Sequence, residues 1–260
     1  MSSTLLTQAR RTVKRTLARN HGAYRRLRRV SMFGKYLCRR PHEADFAAFR
    51  HFTDRTGLFL DVGGNSGESV LSFRLFNPTA PILSIEPNPY HEPDLRFLKD
   101  RIASFDYMLC AAGEHRGRAT LYVPVYRDLP LTGEASFHRD QALASYWMQE
   151  QVGGAAAAAV RLLEVEVEVR RLDDLALDPA FVKIDVQGFE TQVIAGLHTT
   201  IVKSRPVLLL ERSGCDEALF GRLGGLGYDP FVYRSDADTF EHYAHQPVQN
   251  VFFLPRPHAF

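Results

Sequence analysis

The sequence predicts an α/β fold, a mostly parallel sheet with crossover helices and a final antiparallel strand, and three stretches carry that expectation. The first is Leu58-Phe59-Leu60-Asp61-Val62-Gly63-Gly64-Asn65-Ser66-Gly67-Glu68-Ser69. A short apolar run meets an acid, then a turn with three glycines, then a helix carrying Val70, Leu71, Phe73 and Leu75, which is a buried strand feeding a crossover helix. The second, Pro81-Ile82-Leu83-Ser84-Ile85-Glu86-Pro87, is a short apolar strand that also ends in an acid, Glu86 lying 25 positions beyond Asp61. The third, Asn250-Val251-Phe252-Phe253-Leu254, bounded by Pro255, reads as a closing antiparallel strand.

The glycine turn suits a ligand whose approach leaves no room for a Cβ, and it demands positive φ. The free N–H groups of the next helix face the same place. A dinucleotide fold would show G-x-G-x-x-G directly at the strand end, whereas here the glycines follow Asp61 as D-x-G-x-x-x-G. An acid at that tip repels a pyrophosphate and suits a cationic ligand without phosphate, a description that S-adenosylmethionine meets. Glu86, at the tip of the second strand, is placed to accept both ribose hydroxyls of an adenosine.

Asp61-Val-Gly-Gly-Asn-Ser-Gly, Ile85-Glu86-Pro87-Asn88-Pro89 and above all Val182-Lys183-Ile184-Asp185-Val186-Gln187-Gly188-Phe189-Glu190 resemble the FkbM family of S-adenosylmethionine-dependent methyltransferases, and Leu208-Leu209-Leu210-Glu211 is similar to that family's next strand. The resemblance covers roughly residues 57–254 by order of motifs. It implies a Rossmann-like class I methyltransferase sheet, S-adenosylmethionine as donor with S-adenosylhomocysteine as product, and O-methyl transfer. Gly64 departs from it, since the family more usually has alanine there; the expected effect is a looser turn with unchanged chemistry.

The 260 residues are enough for one α/β domain with additions, and 45% hydrophobic with 24% charged content is ordinary for a globular chain. No eighteen-residue apolar run is present, and the N-terminus lacks the apolar core of a signal peptide. Cys38, Cys110 and Cys215 form neither a zinc pattern nor a disulfide framework, which suits a reducing compartment. The expected location is cytoplasmic, at most peripheral on the inner membrane face. Residues 1–42 hold 12 Lys and Arg and no acid, leaving 20 basic against 30 acidic residues, a balance of −10, in the rest. Domain boundaries are set at 1–45 for a basic helical arm and 46–260 for the methyltransferase domain.

In the arm, Leu6, Ala9, Val13 and Leu17 recur at helical spacing among arginines; Asn20-His21-Gly22 ends that helix, and Tyr24, Leu27 and Val30 begin a second. Such an arm either meets an anionic membrane or a lipid-linked carrier, or packs on the body or on a second subunit. Nucleic acid is not expected of a body this acidic. Glu43 to Phe52 reads as a helix with Phe46, Phe49 and Phe52 every third residue, and further helices are expected at 66–76 and 93–102. Phe105 to Gly113 reads as one strand ending in small residues, and the resemblance implies that Ala111 and Ala112 line an adenine pocket.

Alternating residues at 118–126 and 164–170 predict a two-stranded flap, with a helical Gln141–Gln151 and a Gly-Ala tether between, an insertion at about 118–170 that reads as a substrate lid. Tyr122, Tyr126, His138, Tyr146 and Trp147 give it aromatic platforms of the sort sugars stack on, or else pin the flap to the body. Phe181–Val186 and Val207–Glu211 are parallel core strands, and Val193, Ile194, Leu197 and Ile201 mark the helix after the first of them. A helix at 216–226 and a strand at Phe231–Tyr233 follow.

Strand C-termini are where such sheets place chemistry. The motifs therefore put cofactor contacts at Asp61, Gly63, Gly64, Asn65, Gly67, Ser69, Glu86, Pro87 and Asp185, to which the resemblance adds Ala111 and Ala112. A hydroxyl acceptor must lose a proton, so a base or a metal is wanted. Asp185, Glu211, His138 and Glu190 are the catalytic candidates, with Glu190 alternatively a plain helix N-terminal acid. Asp185 and Glu211 are also the pair that a divalent ion would bridge, so metal dependence stays open. The expected acceptor is a small molecule, a glycan or glycolipid, or a polyketide-type product.

Overall fold

In the computed structural model, residues 21–126, 129–144 and 160–258 are described. They divide into two compact units, 35–118 with 168–258, and 21–34 with the described part of 119–167. The strands are β1 (Leu58–Val62), β2 (Ile82–Ile85), β3 (Phe105–Met108), β4 (Ala111–Ala112), β5 (Gly117–Tyr126), β6 (Leu129–Pro130), β7 (Val160–Arg170), β8 (Pro179–Ile184), β9 (Val207–Glu211), β10 (Tyr228–Arg234), β11 (Thr239–His242) and β12 (Asn250–Pro255). Eight of them form the main sheet in the order β11-β10-β12-β9-β8-β1-β2-β3. From β3 to β9 the pairs are parallel, and β12 runs antiparallel to both β9 and β10. The closing strand is thus antiparallel, as its sequence predicted, and it lies between β9 and β10.

The order reverses at β1: the chain proceeds outward through β2 and β3, then returns to lay β8 on the other side of β1. Side crevices of this kind, at the carboxyl ends of two strands whose connections leave in opposite directions, are where open α/β sheets hold ligands. Register places Asp61 beside Ser84 on one side and beside Lys183 on the other.

An aromatic cluster anchors the sheet. Phe49 is within 5.1–5.9 Å of Phe73, Phe181, Phe59 and Phe252, and Phe59 stacks on Phe73 at 4.0 Å. The segment that delivers Phe46 and Phe49 is a 3-10 helix, Ala44–His51, not an α-helix. Phe46 and Phe49 are one turn of that helix apart and Phe52 caps its end, a spacing that an α-helix would also allow. Leu60, Val62, Val182, Ile184, Ile194, Ile201, Leu210 and Phe253 belong to another buried cluster.

Several expectations change. The stretch 105–113 is two strands in different sheets: β3 closes the main sheet, while β4 pairs with Val169 and Arg170 of β7. The second sheet has the order β4-β7-β5-β6, so the two flap strands are neighbours, as expected. The helix after β8 breaks into Glu190–Gly196 and His198–Ser204, with Leu197 between them at φ −108°. β11 was not anticipated; it pairs antiparallel with β10 as a hairpin. The amphipathic stretch expected to begin at Tyr24, Leu27 and Val30 is the helix His21–Leu37, and the first helix expected in the arm lies outside the described residues. The helix expected at 141–151 is Arg139–Ala144 as far as the description reaches, and Tyr146, Trp147, the Gly-Ala tether and residues 1–20 lie outside it. Among the described residues no helix is long and apolar enough to cross a membrane.

Candidate active site at the strand reversal

The glycine turn is shaped first by its own neighbours. A Cβ on Gly63, at φ +85°, would sit 1.8 Å from the Asp185 carbonyl oxygen, and one on Gly67, at φ +84°, would sit 2.1 Å from Leu98 Cδ1. The glycines therefore let the turn press against the end of β8 and the helix Glu92–Lys99, so packing demands them whether or not a ligand does. The amides of Gly63 and Gly64 donate to the Ile85 carbonyl, and the Asp185 amide donates to Val62, which extends the ladder across the turn. Asn65 takes positive φ as well, at 47°.

Asp61 is fully buried. Its Oδ2 accepts from Ser69 Oγ at 2.6 Å and from Ser84 Oγ at 2.8 Å, while Oδ1 has no hydrogen-bond partner. A buried carboxylate oxygen left without a donor is costly unless something supplies one. Ser69, expected to touch a ligand, here holds the acid in place. Glu86 is also buried, and each of its oxygens accepts one backbone amide: Oε2 from Asn65 at 2.7 Å and Oε1 from Asn88 at 2.8 Å. Each keeps a second lone pair, the requirement for receiving two vicinal hydroxyls. Burial pushes its carboxyl up to about 7 against the pull of those amides. Ser66 joins this side through a 2.9 Å contact with His91 Nδ1. Pro87 leads into this turn and is half-buried.

On the other bank, alternation along β8 sends Lys183 and Asp185 to one face. The Lys183 ammonium, buried, lies 3.1 Å from Asp185 Oδ2 and 3.8 Å from Asp61 Oδ1. Burial opposes its charge most strongly, yet the combined charges of Asp185, Asp61 and Glu43 hold its pKa above the ordinary value. The Gln187 amide reaches both Asp185 Oδ1, at 3.4 Å, and Glu211 Oε2, at 3.3 Å. Burial and the neighbouring Asp185 charge raise Glu211 to about 7. For Asp185, burial alone would raise the carboxyl, but the charge and hydrogen bond of Lys183 outweigh it and the net direction is down. Two interacting carboxyls pushed apart in this way titrate as a pair, Asp185 being the more acidic member.

Glu190 is placed differently. It is fully buried in the first turn of its helix, packed against Gly214, and its Oε1 accepts the Val186 amide at 3.2 Å. That position holds the loop after β8 together and matches the helix-terminal alternative. A third bank is the segment just ahead of the phenylalanine helix. Glu43 accepts from Gln249 Nε2 at 2.7 Å and Asn250 Nδ2 at 3.0 Å, and Asp45 accepts from the same Asn250 nitrogen at 2.9 Å. Asn250 is the register partner of Glu211. His42, Glu43 and Asp45 lie in the compact unit that begins at residue 35.

Ala111 and Ala112 are buried, but in β4, so the strand end beside Glu86 is Met108, whose carbonyl accepts the Glu86 amide. His138 is exposed in the other unit, just before the helix Arg139–Ala144. Among the described residues no group of three or more His, Cys, Asp or Glu is placed to hold a metal ion; Asp185 and Glu211 offer two carboxylates. Lys183, Ser84, Gln187, Glu43 and Asn250 were not among the sequence candidates. For Lys183 the signal was present, since i and i+2 on a strand share a face with Asp185.

The profile of the methyltransferase FkbM domain matches residues 61–224. No curated protein matches the chain. Among solved structures, methyltransferase FkbM from Methylobacillus flagellatus KT is similar at 16% identity and a TM-score of 0.47, over 76% of this chain and 44% of that one. This chain therefore spans less than half the length of that relative. A precorrin-6y C5,15-methyltransferase from Geobacter metallireducens GS-15 aligns at 14% identity, TM-score 0.39, over 80% and 82% of the two chains. The plantazolicin methyltransferase BpumL, solved with a desmethyl analogue and SAH, aligns at 10% identity, TM-score 0.37, over 95% and 98%.

Proposed function

Because the chain belongs to the FkbM methyltransferase family, whose domain spans residues 61–224, we propose that it moves a methyl group from S-adenosylmethionine to a hydroxyl oxygen of a sugar, a glycolipid or a polyketide-type product. The observation that carries the oxygen assignment is the Asp185–Glu211 pair, bridged by Gln187, with Glu211 raised to about 7 by burial and the Asp185 charge. An alcohol is a poor nucleophile until its proton leaves, and a carboxylate tuned to about 7 is a competent acceptor for it.

The donor fits the residues on the other bank. Asp61 Oδ1, buried without a donor, suits an ammonium, and the free lone pairs of Glu86 suit two ribose hydroxyls. When bound, S-adenosylmethionine supplies a methyl group activated by its sulfonium. The chain contributes alignment: Asp61 and Glu86 fix one reactant, and Asp185 with Glu211 orients the hydroxyl and receives its proton. Positioning of this sort is worth on the order of 7–11 kcal/mol.

Calorimetric titration with S-adenosylhomocysteine, with NAD as control, tests the reading. Binding of the first alone is expected and justifies a screen of glycans and hydroxylated lipids for methyl uptake. Binding of neither would favour a catalytically silent module, and methyl uptake on nitrogen or carbon acceptors alone would replace the oxygen assignment.

A further inference from the structure

A continuous polar line crosses the crevice from one bank to the other. Ser84 Oγ donates to Asp61 at 2.8 Å, the Lys183 ammonium stands 3.8 Å from Asp61 and 3.1 Å from Asp185, and Gln187 joins Asp185 to Glu211. Lys183 is the middle of that line and is only 3% exposed. It is the one buried cation in contact with both Asp61 and Asp185 among the described residues.

The asymmetry of its two contacts is informative. At 3.1 Å it is hydrogen-bonded to Asp185, whereas at 3.8 Å it steadies Asp61 by charge alone and leaves Oδ1 without a donor. A buried ammonium with a single carboxylate would be a closed pair. Here one cation serves two carboxylates, and Glu43 adds a third anion within electrostatic reach, so negative charge remains in excess. Buried charge of one sign calls for a compensating partner.

We propose that Lys183 is a positioning residue that sets the net charge of the crevice, hydrogen-bonded to Asp185 and drawn to Asp61 by charge alone, so that Asp61 Oδ1 keeps no donor and the local charge stays negative for a cationic cofactor. The inference rests on the adenosyl reading above. Its consequence separates it from a purely structural lysine. S-adenosylmethionine and S-adenosylhomocysteine differ by the methyl group and the positive charge on sulfur. Removing the lysine charge makes the crevice more negative, which favours the charged member over the neutral one. A lysine that only stabilised the fold would weaken both alike.

The test is calorimetric titration of Lys183→Met and of the wild type with both compounds, at pH 8, where Glu86 and Glu211 are ionised. The ratio of S-adenosylhomocysteine to S-adenosylmethionine dissociation constants is expected to rise roughly tenfold, the order that a unit charge about a nanometre away supplies at an effective dielectric constant near 20. Asp185→Asn, which keeps the lysine in place and serves where the methionine variant does not fold, is expected to move the ratio in the opposite direction. An unchanged ratio in the variants that bind overturns the charge-setting role. A wild type that binds neither compound overturns the adenosyl reading and this inference with it.

Discussion

Gly64→Ala should be harmless by the standard of related turns, yet this crevice refuses it. The glycine does not occupy positive φ, so an alanine meets no backbone strain, and the effect is purely one of space. A Cβ there would lie 2.8 Å from Ser84 Cβ, 3.0 Å from Ser84 Oγ and 3.2 Å from Asp61 Oδ2. The first distance is backbone-anchored and does not relax by rotation; the strand or the turn must shift. Overpacking of this size costs about 1–3 kcal/mol, and for a domain of this length each kcal/mol lowers the melting temperature by roughly 2–4 °C. Displacing Ser84 also weakens one of the two bonds that hold Asp61. Ser84→Gly removes both crowding atoms, so the double variant Gly64→Ala/Ser84→Gly should be more stable than the sum of the single changes implies. Thermal melts of the four proteins measure that coupling. A Gly64→Ala protein as stable as wild type, or strictly additive effects, would refute the claim that Ser84 fills the space an alanine would need.

Glu86→Ala should weaken S-adenosylhomocysteine binding by tenfold or more in calorimetry, since charge-assisted hydrogen bonds contribute about 1.5–3 kcal/mol each; unchanged affinity removes Glu86 from the ribose site. Glu86→Gln keeps part of the shape and should fall between. Asp185→Asn should lower methyl transfer by about 10²-fold or more with cofactor affinity far less affected, and a fully active variant excludes Asp185 as base or ligand. Stability should depend on pH through the carboxyls raised to about 7. The folded state keeps protons on Glu86 and Glu211 that the unfolded chain releases near 4.5, so unfolding free energy falls as pH rises from about 4.5 to 7, by at most about 1.4 kcal/mol per unit for each group. Melts at pH 5 and 7.5 should show the loss, and Glu211→Gln should flatten it; a slope of the opposite sign rejects the assignment.

Much of the fold was legible because it rests on local pattern: apolar runs ending in Asp61, Glu86, Asp185 and Glu211, and a phenylalanine every third residue. Strand ends are visible one strand at a time, so the acids could be found but not their pairing. Whether Asp61 meets Lys183 depends on register between segments more than a hundred residues apart, which no local pattern records. The break after Met108 was hidden for a related reason. Phe105 to Gly113 is uniformly strand-like, and only the competing partner β7 decides where the chain changes sheet. Gly64 shows the limit most sharply, because the atom that makes it indispensable belongs to a neighbouring strand.

The bonds from Glu43 and Asp45 to Asn250 also impose an order in time. They span 207 and 205 positions of chain, so a ribosome working at about 5–20 residues per second leaves these acids without their partner for on the order of 10–40 s. Before that interval ends Asp61, Lys183 and Asp185 have all been made, yet the strand that lies beside β9 and carries Asn250 has not. The crevice is therefore finished last, by a piece of chain outside the motifs that announce it. A nascent protein that already holds every signature residue is still missing a wall.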